Sequence, residues 1–112
     1  MKEIERYLKV IEMSEELLEK NYQILDNYGI KNQIPVWIEE MSELTKELCK
    51  WQRNFDKLEG ELKLFDLCNM EFEVTDVQVC LDQIKKAINY SLEQQVENYE
   101  AKVERQLGRI KE

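Results

Sequence analysis

Histidine is missing altogether from the 112 residues of this chain. That excludes His-based zinc sites and the Ser-His and Cys-His pairs of nucleophilic hydrolases. Proline occurs once and glycine three times, too few for the many turns of a β-rich domain, so the composition points to helices. Three widely spaced cysteines, Cys49, Cys68 and Cys80, form neither a disulfide framework nor a zinc pattern. They are expected to stay reduced, in or beside the core of a cytoplasmic protein. No apolar run is long enough to span a bilayer, and the opening Met1-Lys2-Glu3-Ile4-Glu5 has no signal core. Basic residues are also scarce: 16 Lys and Arg stand against 24 Asp and Glu, a net charge of −8. Nucleic-acid binders carry a basic face and anionic membranes repel acidic chains, so neither partner is expected.

What the chain does have is helical periodicity. The length suggests a single all-α domain over residues 1–112. Ile4, Leu8, Ile11, Leu18, Tyr22 and Leu25 predict an N-terminal helix within residues 1–28, ended by Tyr28-Gly29 because glycine suits the left-handed conformation after a helix. Asn32-Gln33-Ile34-Pro35 opens a second helix, with Pro35 in the tolerated first turn. Its seam is Trp37, Met41, Leu44, Leu48, Trp51 and Phe55; a third helix repeats the spacing with Met70, Val74, Val77, Leu81, Ile84 and Ile88. Residues 33–90 therefore read as a core hairpin, interrupted over 54–70 by a connection with one short helix at most. Gly60 and Asn69 are its candidate breaks, and Leu62, Leu64, Phe65 and Leu67 need burial. Asn89-Tyr90-Ser91 separates a fourth helix over 91–112, striped by Val96, Tyr99, Val103, Leu107 and Ile110. Short links favour an antiparallel four-helix bundle.

Two acidic motifs lie in phase on the second and third helices: Glu39-Glu40-Met41-Ser42-Glu43 and Glu73-Val74-Thr75-Asp76. Superposing the seams places Glu40 on Glu73 and Glu43 on Asp76. At about 100° per residue, Glu40 and Glu73 lie roughly 60° from the centre of their apolar stripe, Glu43 and Asp76 roughly 120°, and Glu39 roughly 160°. The first four could share one space; Glu39 points away. Clustered carboxylates repel one another and resist ionisation, and a hard cation such as Mg2+ removes that penalty with oxygen ligands. Isolated acidic pairs are ordinarily solvated helix faces; the matched phase is what raises the metal reading.

These motifs resemble the EExxE and ExxD signatures of the MazG-like all-α nucleoside triphosphate pyrophosphohydrolases. Their surroundings are similar too, from Tyr28-Gly29-Ile30-Lys31-Asn32-Gln33 through Glu43-Leu44-Thr45-Lys46-Glu47-Leu48 to Asp76-Val77-Gln78-Val79-Cys80-Leu81-Asp82-Gln83. The likeness covers roughly Tyr28 to Ile88 and looks like the small phage and prophage members. It implies Mg2+, or Mn2+, held by Glu40, Glu43, Glu73 and Asp76, and hydrolysis of nucleoside triphosphates to monophosphate and pyrophosphate in nucleotide-pool house-cleaning. Glu40 or Glu43 is then the candidate general base, and Glu39 either holds a group behind the metal ligands or orients a water. The family's habit implies a homodimer or homotetramer. The spacer between the motifs is longer than in compact members, which leaves an altered substrate or a lost activity open.

Substrate contacts are read from side-chain chemistry. Lys50, on the acidic side of the second helix, is a candidate for phosphate, although an exposed Lys is the commoner reading. Trp51 and Trp37 are candidates for stacking on a base, although both lie on the seam. Gln33 could read a base edge, and Cys80, one turn past Asp76, could line the pocket. The competing reading is a non-enzymatic acidic helical protein, a phage adaptor or inhibitor; a third is a degenerate family member that binds nucleotide without cleaving it.

Overall fold

Four helices account for the structure: α1 (Lys2–Tyr28), α2 (Ile30–Asn54), α3 (Leu64–Ala87) and α4 (Leu92–Lys111). It is a computed structural model that describes residues 1–57 and 62–111. The proposed break at Gly60 lies outside the described residues, as do the side chains of Leu64 and Phe65. None of the helices is long and apolar enough to cross a membrane, among the described residues.

One residue joins α1 to α2. Gly29 takes φ +81°, a conformation that costs a side-chain-bearing residue energy, and its N–H closes α1 on the Leu25 carbonyl at 2.8 Å. The second helix starts at Ile30 rather than near Asn32. Pro35 therefore sits in its second turn, and Asn32 turns its side-chain amide back onto the Tyr28 carbonyl at 2.8 Å. The other junction follows the sequence closely. Asn89 takes φ +54°, which asparagine tolerates, and Ser91 Oγ accepts the Gln94 N–H at 3.2 Å to cap α4.

The connection before α3 is shorter than expected. Asn69 does not break the chain: α3 runs unbroken from Leu64, and no separate short helix precedes it among the described residues. Leu67, expected to be buried, is 41% exposed.

Leu25, Trp37 and Cys80 form the core, with Ile84 and Ala87 against them. Between the helices lies a buried polar chain. The Trp37 Nε1–H and the Gln33 side-chain amide both donate to Gln83 Oε1, at 2.7 and 2.9 Å. Gln83 Nε2 donates to Asn21 Oδ1 at 2.7 Å, and Asn21 Nδ2 to the Val79 carbonyl at 3.0 Å. It ties α1, α2 and α3 together with each buried amide paired, as burial of polar groups requires.

The fourth helix departs from expectation. Among the described residues α1, α2 and α3 pack on one another, and α4 packs on none of them. A closed four-helix bundle is thus not formed within one chain. Residues 1–17 of α1 are exposed throughout as well. The Cα radius of gyration is 17.8 Å, against about 13 Å for a compact domain of this length. The accessible surface is 9856 Å², against about 6,600 Å² for a compact monomer of this mass.

Candidate metal centre

The α2/α3 contact is rotated from the purely apolar seam by about one residue toward the acids. On α3 the partly or fully buried positions include Met70, Glu73, Val77, Cys80, Gln83, Ile84 and Ala87. On α2 they include Trp37, Glu40, Leu44, Glu47, Trp51 and Asn54. Leu48, Phe55, Val74 and Ile88, all expected in the seam, are 47%, 50%, 51% and 65% exposed. Packing thus turns Glu40 and Glu73 into the helix interface and leaves an apolar flank outside.

There the carboxylates of Glu40, Glu73 and Asp76 converge, one oxygen of each lying within 4.8 Å of the others. Glu40 and Glu73 are half-buried and Asp76 is exposed. Both half-buried acids hold their protons above the usual carboxylate value of 4.5. For Glu40 the main cause is desolvation, followed by the negative charge of Asp76 and Glu73. For Glu73 it is again desolvation, then Asp76, Glu43 and Glu47, with Lys46 opposing. Glu73 Oε2 is fully buried and has no hydrogen-bond partner among the described residues. A buried carboxylate oxygen with nothing to bind is costly; a cation, a water or a proton on the carboxyl would each relieve that cost.

The donors suit a hard divalent ion. All are carboxylate oxygens, the ligand type that Mg2+ and Mn2+ take. Glu43 stands beside the triad rather than in it: it lies 3.8 Å from Lys46 Nζ and its charge acts on Glu73. Glu39 is exposed and bears on the site only through its charge on Glu40. Glu47 is an acid the sequence reading passed over. It lies 3.8 Å from Lys50 and its charge also reaches Glu73; its signal was the step from Glu40 to Glu43 to Glu47, which keeps all three on one helical face.

The candidate substrate groups separate into two sets. Trp37 and Gln33 are each 7% exposed and spend their N–H groups on Gln83, so they brace the wall behind the acids. Trp51 is half-buried, stands 6.4 Å from the Phe55 ring, and has a buried Nε1–H without a partner among the described residues. With Lys50, Glu47 and Asn54 it borders a small cleft at the α3 start. Cys80 is buried beside the triad, and its thiol is pushed up by burial and then by Glu40 and Asp76. The Gln83–Asn21 pair was also passed over in sequence, since isolated amides carry no periodic signal.

The raised carboxyls fix a pH dependence. Above 4.5 and up to their raised values, Glu40 and Glu73 bind more protons folded than unfolded. Their stabilising contribution is therefore complete below 4.5 and is lost as pH rises through the raised values. Melts in EDTA from about pH 4 to about pH 8 should show Glu40→Gln losing less stability than the unaltered protein over that window. Mg2+ should narrow the gap at the upper end.

No family model, curated protein or solved structure matches this chain.

Proposed function

We propose that this protein is a divalent-cation-dependent nucleoside triphosphate pyrophosphohydrolase of the MazG-like type. The observation that carries the reading is the meeting of Glu40, Glu73 and Asp76 across α2 and α3 around a buried, unpartnered carboxylate oxygen. The motif resemblance supports it from the sequence side. Glu40, Glu73 and Asp76 would hold Mg2+ or Mn2+, leaving Glu43, one turn along α2, beside the ion.

When bound, the cation offsets the polyphosphate charge and makes a nearby water a better acid. The chain's own groups then have separate tasks. Glu43, partly open to solvent, accepts the proton of the attacking water. That water adds to the α-phosphorus, the bond to the β-phosphate breaks, and monophosphate and pyrophosphate depart. Lys50 is within reach of the acidic side to meet a phosphate once released from Glu47, and Trp51 offers a ring face to a base. The exposed flank, α1 and α4 are covered by further copies in a homodimer or homotetramer in the cytoplasm.

A second reading, an acidic helical adaptor, has one observation in its favour: α4 is an amphipathic helix that packs on no other helix among the described residues. A panel of NTPs and dNTPs with and without Mg2+, read by pyrophosphate release and melting temperature, separates the two. Release only with Mg2+ is expected. Neither release nor any melting shift would favour the adaptor, and a shift without release would favour a nucleotide-binding relative that has lost turnover.

A further inference from the structure

The two helical segments left bare carry opposite charge. On α1, Glu12, Glu15, Glu16 and Glu19 place four acids in two turns with no base between them. The second half of α4 holds Lys102, Arg105, Arg109 and Lys111 against the single acid Glu104, a basic block in a chain of net charge −8. None of these eight groups is ion-paired: among the described residues the only salt bridges are Lys46–Glu43 and Lys50–Glu47. Both segments also expose apolar side chains between the charges. Ile11, Met13 and Leu17 are 39%, 59% and 58% exposed, and Val103, Leu107 and Ile110 are 42%, 45% and 80% exposed.

We infer that the basic half of α4 docks along the acidic stretch of α1 in a second copy of this chain, and reciprocally in a two-fold dimer. Within one chain α4 packs on no other helix, so its own α1 does not receive it. The segments match in length, about 12 Å for residues 12–19 and about 15 Å for 102–111. Most helical stability in proteins comes from packing an apolar face, which α4 does not do within its own chain among the described residues. The surface needed is available: the chain exposes about 3,300 Å² more than a compact monomer, while a stable interface takes about 800 Å² from each partner. Reciprocity follows from symmetry, because each copy offers one acidic and one basic segment. The same contact sets polarity, aligning the acidic turns with the basic ones and keeping like charges apart.

The inference rests on the reading that the chain self-associates, and not on the cation site. Its test is a charge exchange read by sedimentation at low salt, with circular dichroism to verify folding. Unaltered protein should sediment as an even multiple of the 13.6 kDa chain. Glu15→Arg/Glu16→Arg and Arg105→Glu/Arg109→Glu should each lose at least half of that mass while remaining helical, since all four positions are exposed. Mixing the two variants should restore it, because each then presents the charge the other lacks. If either double variant keeps the full mass, like-with-like pairing holds the assembly and the α1–α4 contact is wrong, although self-association stands. Failure of the mixture to recover mass overturns the contact as well. Monomeric unaltered protein overturns both the contact and the self-association.

Discussion

Glu73→Gln is expected to lower pyrophosphate release by about a hundredfold or more, equivalent to at least about 2.7 kcal/mol of lost transition-state stabilisation. The reason is its place in the site. Glu73 faces Glu40 across the α2/α3 interface, with Asp76 beside it on α3, and has a buried oxygen without a hydrogen-bond partner among the described residues. A neutral amide keeps the volume but offers a cation a weaker oxygen and no charge. The fold should not suffer. Losing one of several crowded carboxylates removes repulsion, so the metal-free variant should melt at least as high as the unaltered protein near pH 7. The pairing of lost turnover with retained or raised stability is the signature of a ligand, whereas a residue that only packs loses both. Glu39→Gln is the control: its side chain is exposed and turnover should change by less than about threefold. Initial rates with a saturating triphosphate, together with melts in EDTA, check both variants.

Gln83→Leu is expected to produce the largest loss of stability of any conservative-volume change in the chain. Gln83 is 3% exposed, accepts from Trp37 and Gln33 and donates to Asn21. Leucine fills a similar space but leaves the Trp37 N–H, the Gln33 amide and Asn21 Oδ1 buried without partners. At about 1–3 kcal/mol for each abandoned group, with some relief by relaxation, the cost is about 3–5 kcal/mol. For a domain of this size that lowers the melting temperature by roughly 15 °C or more. Because Trp37 and Gln33 lie one or two turns before Glu40 on α2, the same change should loosen cation binding too. A melt by circular dichroism reads the first effect, and a shift of under about 2 °C would show that the network is dispensable.

Helix number and most helix ends were legible because they depend on local chemistry: Gly29 in the left-handed region, Asn89 likewise, and Ser91 as a cap. The acids were legible because the motifs share a phase. What misled was the assumption that the packed face is the most apolar one. Val74 and Leu81 fit a seam as well as Glu73 and Cys80 do by spacing alone, and the choice between them is made in three dimensions by which face meets α2. Trp37 illustrates the same limit. Its spacing marked it for the core or for a base, and only the hydrogen bond to Gln83, far along the chain, shows how its N–H is spent. Glu47 was missed because it falls after the motif ends, although its position on the face of Glu40 and Glu43 was there to be counted. The separation of α4 had no local signal: its stripe is that of any bundle helix, and nothing in a stripe says whose helix will cover it.

The proposed activity requires α2 and α3 to grip a divalent ion between them. Anomalous diffraction from crystals soaked in Mn2+ tests this most directly. It predicts one strong peak within coordinating distance of Glu40, Glu73 and Asp76, lost in Glu73→Gln crystals. A soaked crystal with no peak there, or with Mn2+ only on the outer acids of α1, would contradict it.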